Sequence, residues 1–593
     1  MEFNSIPEIV RNRASKYQDR DVLRYRDRNN KTALLSKSWT SLVEDFTKLS
    51  GILLSDGFTK GSKIGIFSSN CPEWAITDLA VLNIRAVVVP FFSTASREQC
   101  HYIVNETGMK LMFVGDKPQL DIAVEQLKSP GPLEKVVVFN DVLPLPDDRC
   151  IHFSDYIKQA AADHSQLEQT EQEATPDDLA TIIYTSGTTG EPKGVMLKNE
   201  SFLYTFPEHK MRLDLTDKDI SMAFLPLSHI FERTWTFLLY YMGATNFILD
   251  NPKEVMEALP LANPHVMCVV PRFYEKTYEG IQAEKNRWPS LKQKIFDWAI
   301  ATGEQVSAYR KDNRKAPAGL RVRQTMAEKL VLKKLRSIFG SNIRTTPCSG
   351  AKLPEHLLRF FHAAGIFVNY GYGATETTAT VSCFKSDIYE FESVGTVLPG
   401  LEVKIGNNNE IMVRGKTIFA GYYKKPEETD AVLVDGWYKT GDEGGFTKNG
   451  NLLMSDRIRD LMKTSVGKYV SPQKIESLVG QYPLIEQMVV VGDNRKYVTA
   501  LIVPDHEKLK ALAATQGLEG KPLKELLKNN RIIEHFTEKI NALQERLPEH
   551  EKIKRFALLE VPFSIENNML TSTLKTKRRV IEKQYAKVID SLY

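Results

Sequence analysis

The chain has 593 residues, of which 42% are hydrophobic and 26% charged, so it is long enough for several structural units and its composition excludes intrinsic disorder. A formal net charge of +4 gives no general electrostatic attraction for nucleic acid. The six cysteines form no CxxC pair and have no histidine cluster beside them, so the sequence suggests neither a zinc site nor a disulfide framework.

The N-terminal residues contain no basic stretch followed by an apolar run, so no signal peptide is predicted. The most apolar stretch, residues 75–92, is interrupted by Asp78 and Arg85. This pattern predicts an amphipathic helix that leads into a strand rather than a membrane span. We therefore expect a cytoplasmic protein.

Short β-branched runs alternate with helical patterns over the first 140 residues. Strands are predicted at 63–67, 85–92, 110–114 and 135–139, and helices at 96–106 and 120–127. Alternation of this kind predicts a mainly parallel sheet covered by helices. The polar, proline-containing segment 164–178 is predicted to be a surface linker before the next strand, 179–184.

The region from Trp288 to Phe339 has a helical pattern and is rich in lysine and arginine. It is either a solvated helical insert or a surface that meets anionic lipid headgroups. Beyond about residue 456 the pattern changes, with strands at 487–491 and 498–504 and helices within 522–547. This part is predicted to be a separate small α+β domain.

The most informative segment is YTSGTTGEPKGV, residues 184–195, which follows a predicted strand. Glycines let backbone amides approach a ligand closely, hydroxyls donate to phosphate oxygens, and a lysine adds positive charge. The GxxxxGK[ST] spacing of a Walker A loop is absent. The segment predicts a loop that binds a nucleotide triphosphate, formed by Thr185, Ser186, Gly187, Thr188, Thr189 and Lys193.

This loop resembles the signature of the adenylate-forming (ANL) superfamily, and later segments match that family in the same order. They are LPLSHIFER (225–233), SGAKL (349–353), YGYGATETT (370–378), GWYKTGDEG (436–444), DRIRDLMK (456–463) and LTSTLKTKR (570–578). The resemblance implies an α/β fold. A large multi-layer N-terminal portion with mixed sheets, 1–456, would include a small β subdomain near 395–456, and a smaller mobile α+β domain would follow at 457–593.

The resemblance also implies roles for single residues in ATP binding. Thr185 and Glu376 match ligands of Mg²⁺, which prefers hard oxygen donors. Gly350 and Ala351 match a strip along which adenine lies, and Tyr372 matches the residue that stacks on the base. Gly373 falls in the same binding motif, and Thr375 matches a donor to the α-phosphate.

Asp442 matches the carboxylate that binds both ribose hydroxyls, and Arg457 would assist it.

His229 matches an aromatic residue between the substrate carboxylate and the acyl site. It is not predicted to be a base, because a carboxylate needs no deprotonation at neutral pH. Lys575, rather than Lys577, matches a lysine that reaches the α-phosphate and the carboxylate during adenylation.

The second half-reaction would use another face of the C-terminal domain. Arg459 falls at the hinge about which that domain rotates in the family. Lys463, Gly467 and Tyr469 match residues near CoA. Ser572 replaces a proline that the nearest relatives usually have, which puts the stiffness of the loop before Lys575 in doubt.

Two segments favour a long-chain acid. LPLSHIFERTWTF followed by VVPRFYEK, and the helical insert, are similar to the long-chain acyl-CoA synthetases. Each methylene buried in a tunnel contributes about 0.8 kcal/mol, so a long tunnel gives a strong length preference. Phe231, Trp235 and Phe237 are candidates for the tunnel wall or equally for the core.

The resulting hypothesis is a long-chain fatty acid:CoA ligase that uses ATP, Mg²⁺ and CoA and makes an acyl-AMP intermediate. It has no nucleic-acid partner and associates with membranes, if at all, peripherally. The alternatives are a fatty acyl-AMP ligase that loads a carrier-protein thiol, a luciferase-like oxidase, and a lipid-binding scaffold without chemistry. The scaffold is disfavoured because Glu376, Asp442 and Lys575 are all present.

Overall fold

The structure is a computed structural model that describes residues 2–28, 30–159, 164–185, 191–386, 389–457, 462–465, 468–571 and 575–593. Its chain divides into two compact units. The first unit consists of Met1–Ile405, Met412–Thr440 and Gly445–Leu453, and the second of Gly406–Ile411, Gly441–Gly444 and Met454–Tyr593.

The first part of the chain alternates strands with helices. Its elements are α1 (Ile6–Tyr17), β1 (Asp21–Arg26), β2 (Leu34–Ser38), α2 (Trp39–Ser55), β3 (Lys63–Phe67), α3 (Pro72–Asn83), β4 (Val87–Phe91), α4 (Arg97–Thr107), β5 (Leu111–Val114), α5 (Lys117–Lys128), β6 (Lys135–Val138), β7 (Cys150–His152), α6 (Phe153–Tyr156), α7 (His164–Gln172), β8 (Leu179–Thr185) and β9 (Lys193–Lys198). A seven-stranded sheet has the order β7-β6-β5-β3-β4-β8-β9, and only β8 and β9 pair antiparallel. The predicted parallel sheet is confirmed.

Local sequence explains these elements. In β3, residues 64–67 are all buried, as expected for a parallel strand that is covered on both faces and is therefore apolar throughout. Helix α4 begins after Ser96, whose hydroxyl accepts a hydrogen bond from the Gln99 amide. The Gln99 side chain accepts one from the Ser96 amide in return, which completes a capping box.

The prediction of a linker at 164–178 was wrong for its first half, which is helix α7. Its single apolar residue, Leu167, is buried in the core. Glu171 accepts hydrogen bonds from Arg11 over 2.9 Å and from Asn83 over 2.8 Å. Contacts with residues far away in sequence therefore hold a helix whose own composition is polar.

The middle of the chain supplies two further sheets and a helical region. Its elements are α8 (Asn199–Leu203), α9 (Phe206–Leu213), β10 (Ile220–Ala223), α10 (Ile230–Met242), β11 (Thr245–Ile248), α11 (Val255–Ala262), α12 (Pro271–Asn286), α13 (Ser290–Arg310), α14 (Ala318–Ala327), α15 (Lys333–Arg336), β12 (Thr345–Cys348), α16 (Glu355–Ala363), β13 (Phe367–Tyr372), β14 (Ser382–Cys383) and β15 (Thr396–Val397). The sheet orders are β10-β11-β1-β2 and β12-β13-β14-β15. The region predicted as a helical insert is helical, and a π-helical turn, Glu328–Leu332, joins α14 to α15.

Helix α10 is buried almost throughout and carries a charge into the core. Arg233 is fully buried and pairs with Asp78 of α3, with 2.9 Å between Nε and Oδ2. Its Nη1 also donates to the Thr181 hydroxyl over 2.7 Å. Burial raises the pKa of Asp78 although the Arg233 charge opposes the change. The motif LPLSHIFER thus includes a residue that ties α10 to α3 and β8.

The remaining elements are β16 (Glu402–Ile405), β17 (Glu410–Arg414), α17 (Pro426–Val432), β18 (Leu433–Val434), β19 (Trp437–Phe446), β20 (Leu452–Arg457), β21 (Met462–Lys463), β22 (Tyr469–Val470), α18 (Pro472–Val479), β23 (Ile485–Val491), β24 (Val498–Pro504), α19 (His506–Thr515), α20 (Leu523–Leu526), α21 (Asn530–Leu543), β25 (Ile553–Leu558), α22 (Arg578–Gln584) and α23 (Ala586–Asp590). One sheet has the order β16-β17-β19-β18 with β20 on β19. Strands β23, β24 and β25 form another, β24 and β25 being parallel. The mixed α/β fold class is confirmed.

All six cysteines are buried thiols. Burial raises the pKa of Cys100 to about 12 and that of Cys150 to about 11. Within the described ranges, no helix is both long and apolar enough to cross a bilayer.

Candidate active site

The predicted phosphate loop connects two antiparallel strands. Thr185 is the last residue of β8 and Lys193 the first of β9, and the two residues are paired across the hairpin. Both ends of the loop are therefore fixed by the seven-stranded sheet. Ser186, Gly187, Thr188 and Thr189 lie outside the described residues.

Gly194, beside Lys193, is required by packing. It is paired with Tyr184 across the hairpin, and a Cβ at this position would lie 2.7 Å from Ile182 Cγ2 and 3.0 Å from Tyr184 Cζ. The Tyr184 hydroxyl in turn donates a hydrogen bond to Glu106 of α4. Gly194, the glycine of PKGV, therefore lets Tyr184 of the same motif pack against β9.

A second segment, residues 420–423, runs along the free side of β9. The Tyr423 amide donates to the Gly194 carbonyl over 2.8 Å, and the Ala420 amide donates to the Met196 carbonyl over 2.9 Å. This pairing places the Tyr422 ring beside the loop, with its centroid 5.0 Å from the Lys193 ammonium. That distance is within the range of a cation–π interaction.

Tyr422 also connects the loop to the motif YGYGATETT. Its hydroxyl donates to Glu376 Oε1 over 3.0 Å, and the Phe419 amide donates to the Glu376 carbonyl over 2.9 Å. The Thr378 hydroxyl donates to the Thr417 carbonyl over 2.6 Å. The structure thus brings together Lys193 and Glu376 through a tyrosine that the sequence analysis did not select.

The turn that carries Glu376 is tightly closed. Residues Thr375–Thr377 form a 3₁₀ turn two residues after the end of β13, and the Ala374 amide donates to the Thr377 hydroxyl over 2.9 Å. A Cβ at Gly373 would lie only 1.9 Å from the Ala379 carbonyl oxygen. The backbone can fold back here only because residue 373 has no side chain.

The strip predicted to carry adenine lies beside the same strand. Strands β12 and β13 are parallel, and Gly350 follows β12 with φ +93°, a conformation that favours glycine. The Tyr370 hydroxyl donates to the Ala351 carbonyl over 3.3 Å and accepts from the Leu353 amide over 3.2 Å. Gly350 and Ala351 are exposed, whereas Tyr372 at the end of β13 is largely buried.

His229 is the N-cap of α10. Its Nδ1 accepts a hydrogen bond from the Phe231 amide over 3.2 Å, so this nitrogen carries no proton. The imidazole centroid lies 6.2 Å from that of Phe92. Asn70 holds the preceding loop, because its side chain donates to the Leu225 carbonyl over 2.8 Å and accepts from the Leu227 amide over 2.9 Å.

A narrow cavity of about 30 Å³ lies between α9, α10, β12 and β13. Its apolar lining includes Leu213, Phe231, Trp235, Leu238, Tyr372 and Ala379. Phe237, the third aromatic candidate for a tunnel wall, does not line it and packs against Phe202 at 5.3 Å in the core. A separate cavity of about 260 Å³ between α13, α14 and α16 contains none of the predicted site residues.

The remaining site residues belong to the second unit. Asp442 lies in β19 and is only 5% exposed, and the neighbouring Gly441 amide donates to Glu410 Oε1 over 3.0 Å. Arg457 is the last residue of β20. Lys463 pairs with Tyr469 across the β21–β22 hairpin, and its ammonium lies 5.5 Å from the tyrosine ring centroid. Arg459 and Gly467 lie outside the described residues.

The Lys575 side chain is exposed, and two hydrogen bonds join the Lys575 backbone to Thr571. The Thr571 amide donates to the Lys575 carbonyl over 2.8 Å, and the Lys575 amide donates to the Thr571 hydroxyl over 3.0 Å. Lys577, the other candidate, is partly buried and hydrogen-bonds to Asn568. Burial lowers the pKa of Lys577. The side chain of Lys575 is thus the more accessible of the two.

Thr185 and Glu376 offer the hydroxyl and carboxylate oxygens that Mg²⁺ accepts. No cluster of three or more His, Cys, Asp or Glu side chains suited to a metal occurs in the part of the chain that the structure describes. Mg²⁺ commonly takes only one or two protein ligands and completes its shell with water and substrate phosphates. The two residues present therefore fit Mg²⁺ that arrives with a nucleotide.

Comparisons with known proteins agree along almost the whole chain. A family model described as AMP-binding enzyme matches residues 10–423, and one described as AMP-binding enzyme C-terminal domain matches 459–593. A long-chain-fatty-acid–CoA ligase of Mycobacterium bovis is 30% identical over 91% of this chain and 89% of its own. Long-chain-fatty-acid–CoA ligase 5 of Rattus norvegicus is 30% identical over 92% of this chain and 82% of its own.

Solved structures share the fold. The adenylation domain of a carboxylate reductase from Mycobacterium chelonae is similar with a TM-score of 0.79 at 22% identity, covering 100% of this chain and 92% of that one. O-succinylbenzoate coenzyme A synthetase from Bacillus subtilis, solved with ATP and a magnesium ion, has a TM-score of 0.68 at 20% identity, covering 96% and 98%. At these identities the likeness shows the fold alone.

Proposed function

The chain belongs to the AMP-binding enzyme family, and from that premise we propose that it converts a long-chain fatty acid into its CoA thioester in two steps. In the first step the carboxylate attacks the α-phosphorus of ATP and pyrophosphate leaves. In the second step the CoA thiolate attacks the acyl carbon of acyl-AMP, and AMP leaves. The observation that carries the proposal is the arrangement of Lys193, Tyr422 and Glu376 at the end of the β8–β9 hairpin.

The first unit would hold the triphosphate. Lys193 supplies a positive charge where the loop re-enters the sheet, and the loop hydroxyls and amides donate to phosphate oxygens. Thr185 and Glu376 would hold Mg²⁺, which neutralises phosphate charge when bound. Tyr422 fixes the Glu376 carboxylate through its hydrogen bond. Thr375 would donate to the α-phosphate as negative charge grows there.

Adenosine would be held by two kinds of contact. Gly350 and Ala351 present open backbone to the adenine edge, and Tyr372, beside Gly373, offers a ring for stacking. From the second unit, Asp442 would accept hydrogen bonds from both ribose hydroxyls, and Arg457 would assist. Asp442 carries the two carboxylate oxygens that such a pair of hydrogen bonds requires, and it is only 5% exposed.

The C-terminal domain, predicted at 457–593, would serve both half-reactions in turn. Lys575 would reach the α-phosphate and the substrate carboxylate during adenylation. A rotation about Arg459 would then withdraw Lys575 and present Lys463, Gly467 and Tyr469 to CoA. The exposure of Lys575 and of the Lys463–Tyr469 pair supports access to ligands at both stages.

The acyl tail would enter the narrow cavity beside α10. His229 would stand at its mouth as an aromatic wall next to Phe92, and Phe231 and Trp235 would contact the methylenes. A cavity of about 30 Å³ is far smaller than a long acyl chain. A long tail can therefore enter only as side chains of the wall move apart.

The test is release of pyrophosphate and formation of CoA thioester with a series of acids from acetate to long-chain. We expect the highest kcat/KM with long-chain acids and an acyl-CoA product. Pyrophosphate release without any thioester would favour the carrier-protein ligase instead. Activity only with short or aromatic acids would contradict the assignment of the tail to this cavity.

We also propose that the enzyme, a cytoplasmic protein, binds peripherally to anionic membranes. Val322, Met326 and Leu330 succeed one another at four-residue intervals along α14 and the π-helical turn, and 62%, 53% and 53% of their surfaces are exposed. We name these three residues the outer stripe. Exposed apolar residues that line up on one helix face indicate an interaction surface.

The charges around the outer stripe indicate its partner. Residues 314–336 contain eight basic side chains and one acidic side chain, Glu328, which pairs with Arg336. A helix with an apolar stripe and a basic rim lies in the headgroup region of anionic bilayers. The surface therefore suits a membrane that presents both acyl chains and negative headgroups.

Co-sedimentation with phosphatidylserine-containing vesicles tests this surface. We expect binding that weakens at high salt and is lost when Val322, Met326 and Leu330 are all changed to serine. The control changes Leu291 and Ile295, two exposed apolar residues of α13, to serine. Equal loss in the control, or binding that ignores salt, would contradict the proposal.

A further inference from the structure

Two polar groups in the wall of the acyl cavity make no hydrogen bond to any of the described residues. The first is the hydroxyl of Thr234, a residue of α10 that is 6% exposed. No group in the described part of the chain accepts from or donates to its Oγ1. A helical threonine commonly bonds its hydroxyl to the carbonyl one turn earlier, so an unpaired one in the interior is available to a water molecule or a ligand.

The second group is Nε2 of His209, on α9. His209 is 8% exposed and lines the same cavity. Its Nδ1 lies 2.8 Å from the Thr205 carbonyl, which can only accept, so Nδ1 carries the proton. Burial lowers the pKa of His209 to about 4, and the charge of Arg212 acts in the same direction. The ring is therefore neutral at pH 7, and Nε2 is a hydrogen-bond acceptor.

The two groups are chemically complementary to an alcohol. A hydroxyl group can accept a hydrogen bond from the Thr234 hydroxyl and donate one to His209 Nε2. A methylene can do neither and would leave both groups buried without a partner. A ketone could only accept, so it would leave His209 Nε2 without a donor.

The size of the cavity agrees with a single oxygen at this place. A cavity of about 30 Å³ can hold a water molecule, and Thr234 and His209 both line it. A ligand that displaces a bridging water keeps its affinity only if it reproduces the hydrogen bonds of that water. A substrate hydroxyl at the same position does so.

We propose that the preferred substrates are fatty acids that carry a hydroxyl group along the chain, recognised by Thr234 and His209. The inference rests on the proposed function, since it assigns the substrate class of the same cavity. The remaining wall is largely apolar, with Leu213, Trp235 and Leu238 near the pair, so the rest of the chain would be hydrocarbon.

The experiment compares kcat/KM for palmitic acid with that for hydroxypalmitic acids whose hydroxyl stands at successive positions. We expect at least one position to exceed palmitic acid by roughly tenfold or more, because a buried polar site discriminates strongly against an analogue that lacks the group it binds. The corresponding ketopalmitic acid should show a smaller gain, because it cannot donate to His209.

Variants of His209 and Thr234 test whether these residues produce the preference for the hydroxy acid. In His209→Leu and in Thr234→Val the ratio of hydroxy to plain acid should fall towards one, mainly through a higher KM for the hydroxy acid. Thr234→Ser keeps the hydroxyl and should retain the preference, which separates recognition from a folding defect. The control is Thr236→Val, on the same helix, whose hydroxyl accepts from Asn246 away from the cavity and should leave the ratio unchanged.

The outcomes distinguish this inference from the proposed function. Turnover of palmitic acid with no preferred hydroxy position would overturn the inference and leave the proposed function intact. A preference that persists in both His209→Leu and Thr234→Val would also overturn it. No pyrophosphate release with any fatty acid would instead remove the proposed function.

Discussion

The Tyr422 hydroxyl lies 3.0 Å from Glu376 Oε1, and the ring of the same tyrosine faces the Lys193 ammonium. One side chain thus touches both the end of the phosphate loop and the carboxylate proposed to bind Mg²⁺. The contact joins parts of the chain that are 46 residues apart. Tyr422 is therefore a positioning residue for the first half-reaction.

Replacing Tyr422 with phenylalanine keeps the ring beside Lys193 and removes the hydrogen bond to Glu376. Loss of a partner that orients a metal ligand commonly costs roughly 10–100-fold in metal affinity or activity. We expect ATP–pyrophosphate exchange to fall within that range and the Mg²⁺ concentration for half-maximal rate to rise. Tyr423→Phe, one residue along the same segment, is the control. A normal Mg²⁺ requirement in Tyr422→Phe would contradict the role.

Lys575→Ala should separate the two half-reactions. Removing a charge that stabilises the developing transition state typically costs roughly 10²–10³-fold, and we expect that loss in acyl-AMP formation. Thioester formation from supplied acyl-AMP should be affected much less, because the proposed rotation withdraws this lysine before CoA attacks. Lys577→Ala is the matched control, since that lysine is engaged with Asn568. Equal losses in both steps would argue against domain rotation.

Glu232 should make stability fall as the pH rises. Its side chain is fully buried, and burial raises its pKa well above the ordinary value, so the folded state keeps the proton. The unfolded state releases that proton above about pH 4.3. Between the two pKa values the folded state is therefore destabilised by about 1.4 kcal/mol per pH unit.

Glu232→Gln removes the titrating carboxyl group and keeps a side chain of similar shape. We expect the variant to resist urea better than the parent at pH 8, with a much smaller difference at pH 5. The measurement is the urea midpoint of both proteins at the two pH values. A variant that is destabilised equally at both would show that the carboxyl contributes a specific contact instead.

Gly373→Ala should disrupt the turn that carries Glu376. The added methyl group would meet the Ala379 carbonyl oxygen at 1.9 Å. Forcing extra atoms into a packed site typically costs about 1–3 kcal/mol, and the shift would also move Glu376. Thermal unfolding and pyrophosphate exchange should both be impaired. Gly280→Ala, in α12 with nothing within 4 Å, should instead stabilise by about 0.5–1 kcal/mol.

The sequence predicted those elements whose own residues carry the pattern, without reference to contacts with distant parts of the chain. Residues 64–67 of strand β3 are all apolar and buried because both faces of the sheet are covered, and that pattern can be recognised from the strand alone. Helix α7 was missed because Glu171 is held by Arg11 and Asn83, which lie far away in sequence. Single-segment composition carries no information about such contacts.

The same limit applies to the candidate site. The motifs supplied Lys193 and Glu376, but Tyr422 lies in a segment that matches no motif and is recruited by pairing with β9. Phe237 could not be separated from Trp235 by sequence, because only the packing of α10 decides which aromatic residue meets Phe202. Thr234 and His209 meet at one cavity because α9 lies beside α10.

The burial of all six thiols has a consequence for an enzyme that produces a reactive acyl donor. Acyl-AMP transfers its acyl group readily to thiolates, and an accessible cysteine would compete with CoA for it. Here the pKa values of Cys100 and Cys150 are raised by burial, and Cys348 and Cys383 face the cavity proposed for the tail. Burial raises the pKa values of Cys348 and Cys383 as well, so we expect these thiols to stay protonated and acyl-AMP to react with CoA rather than with the protein.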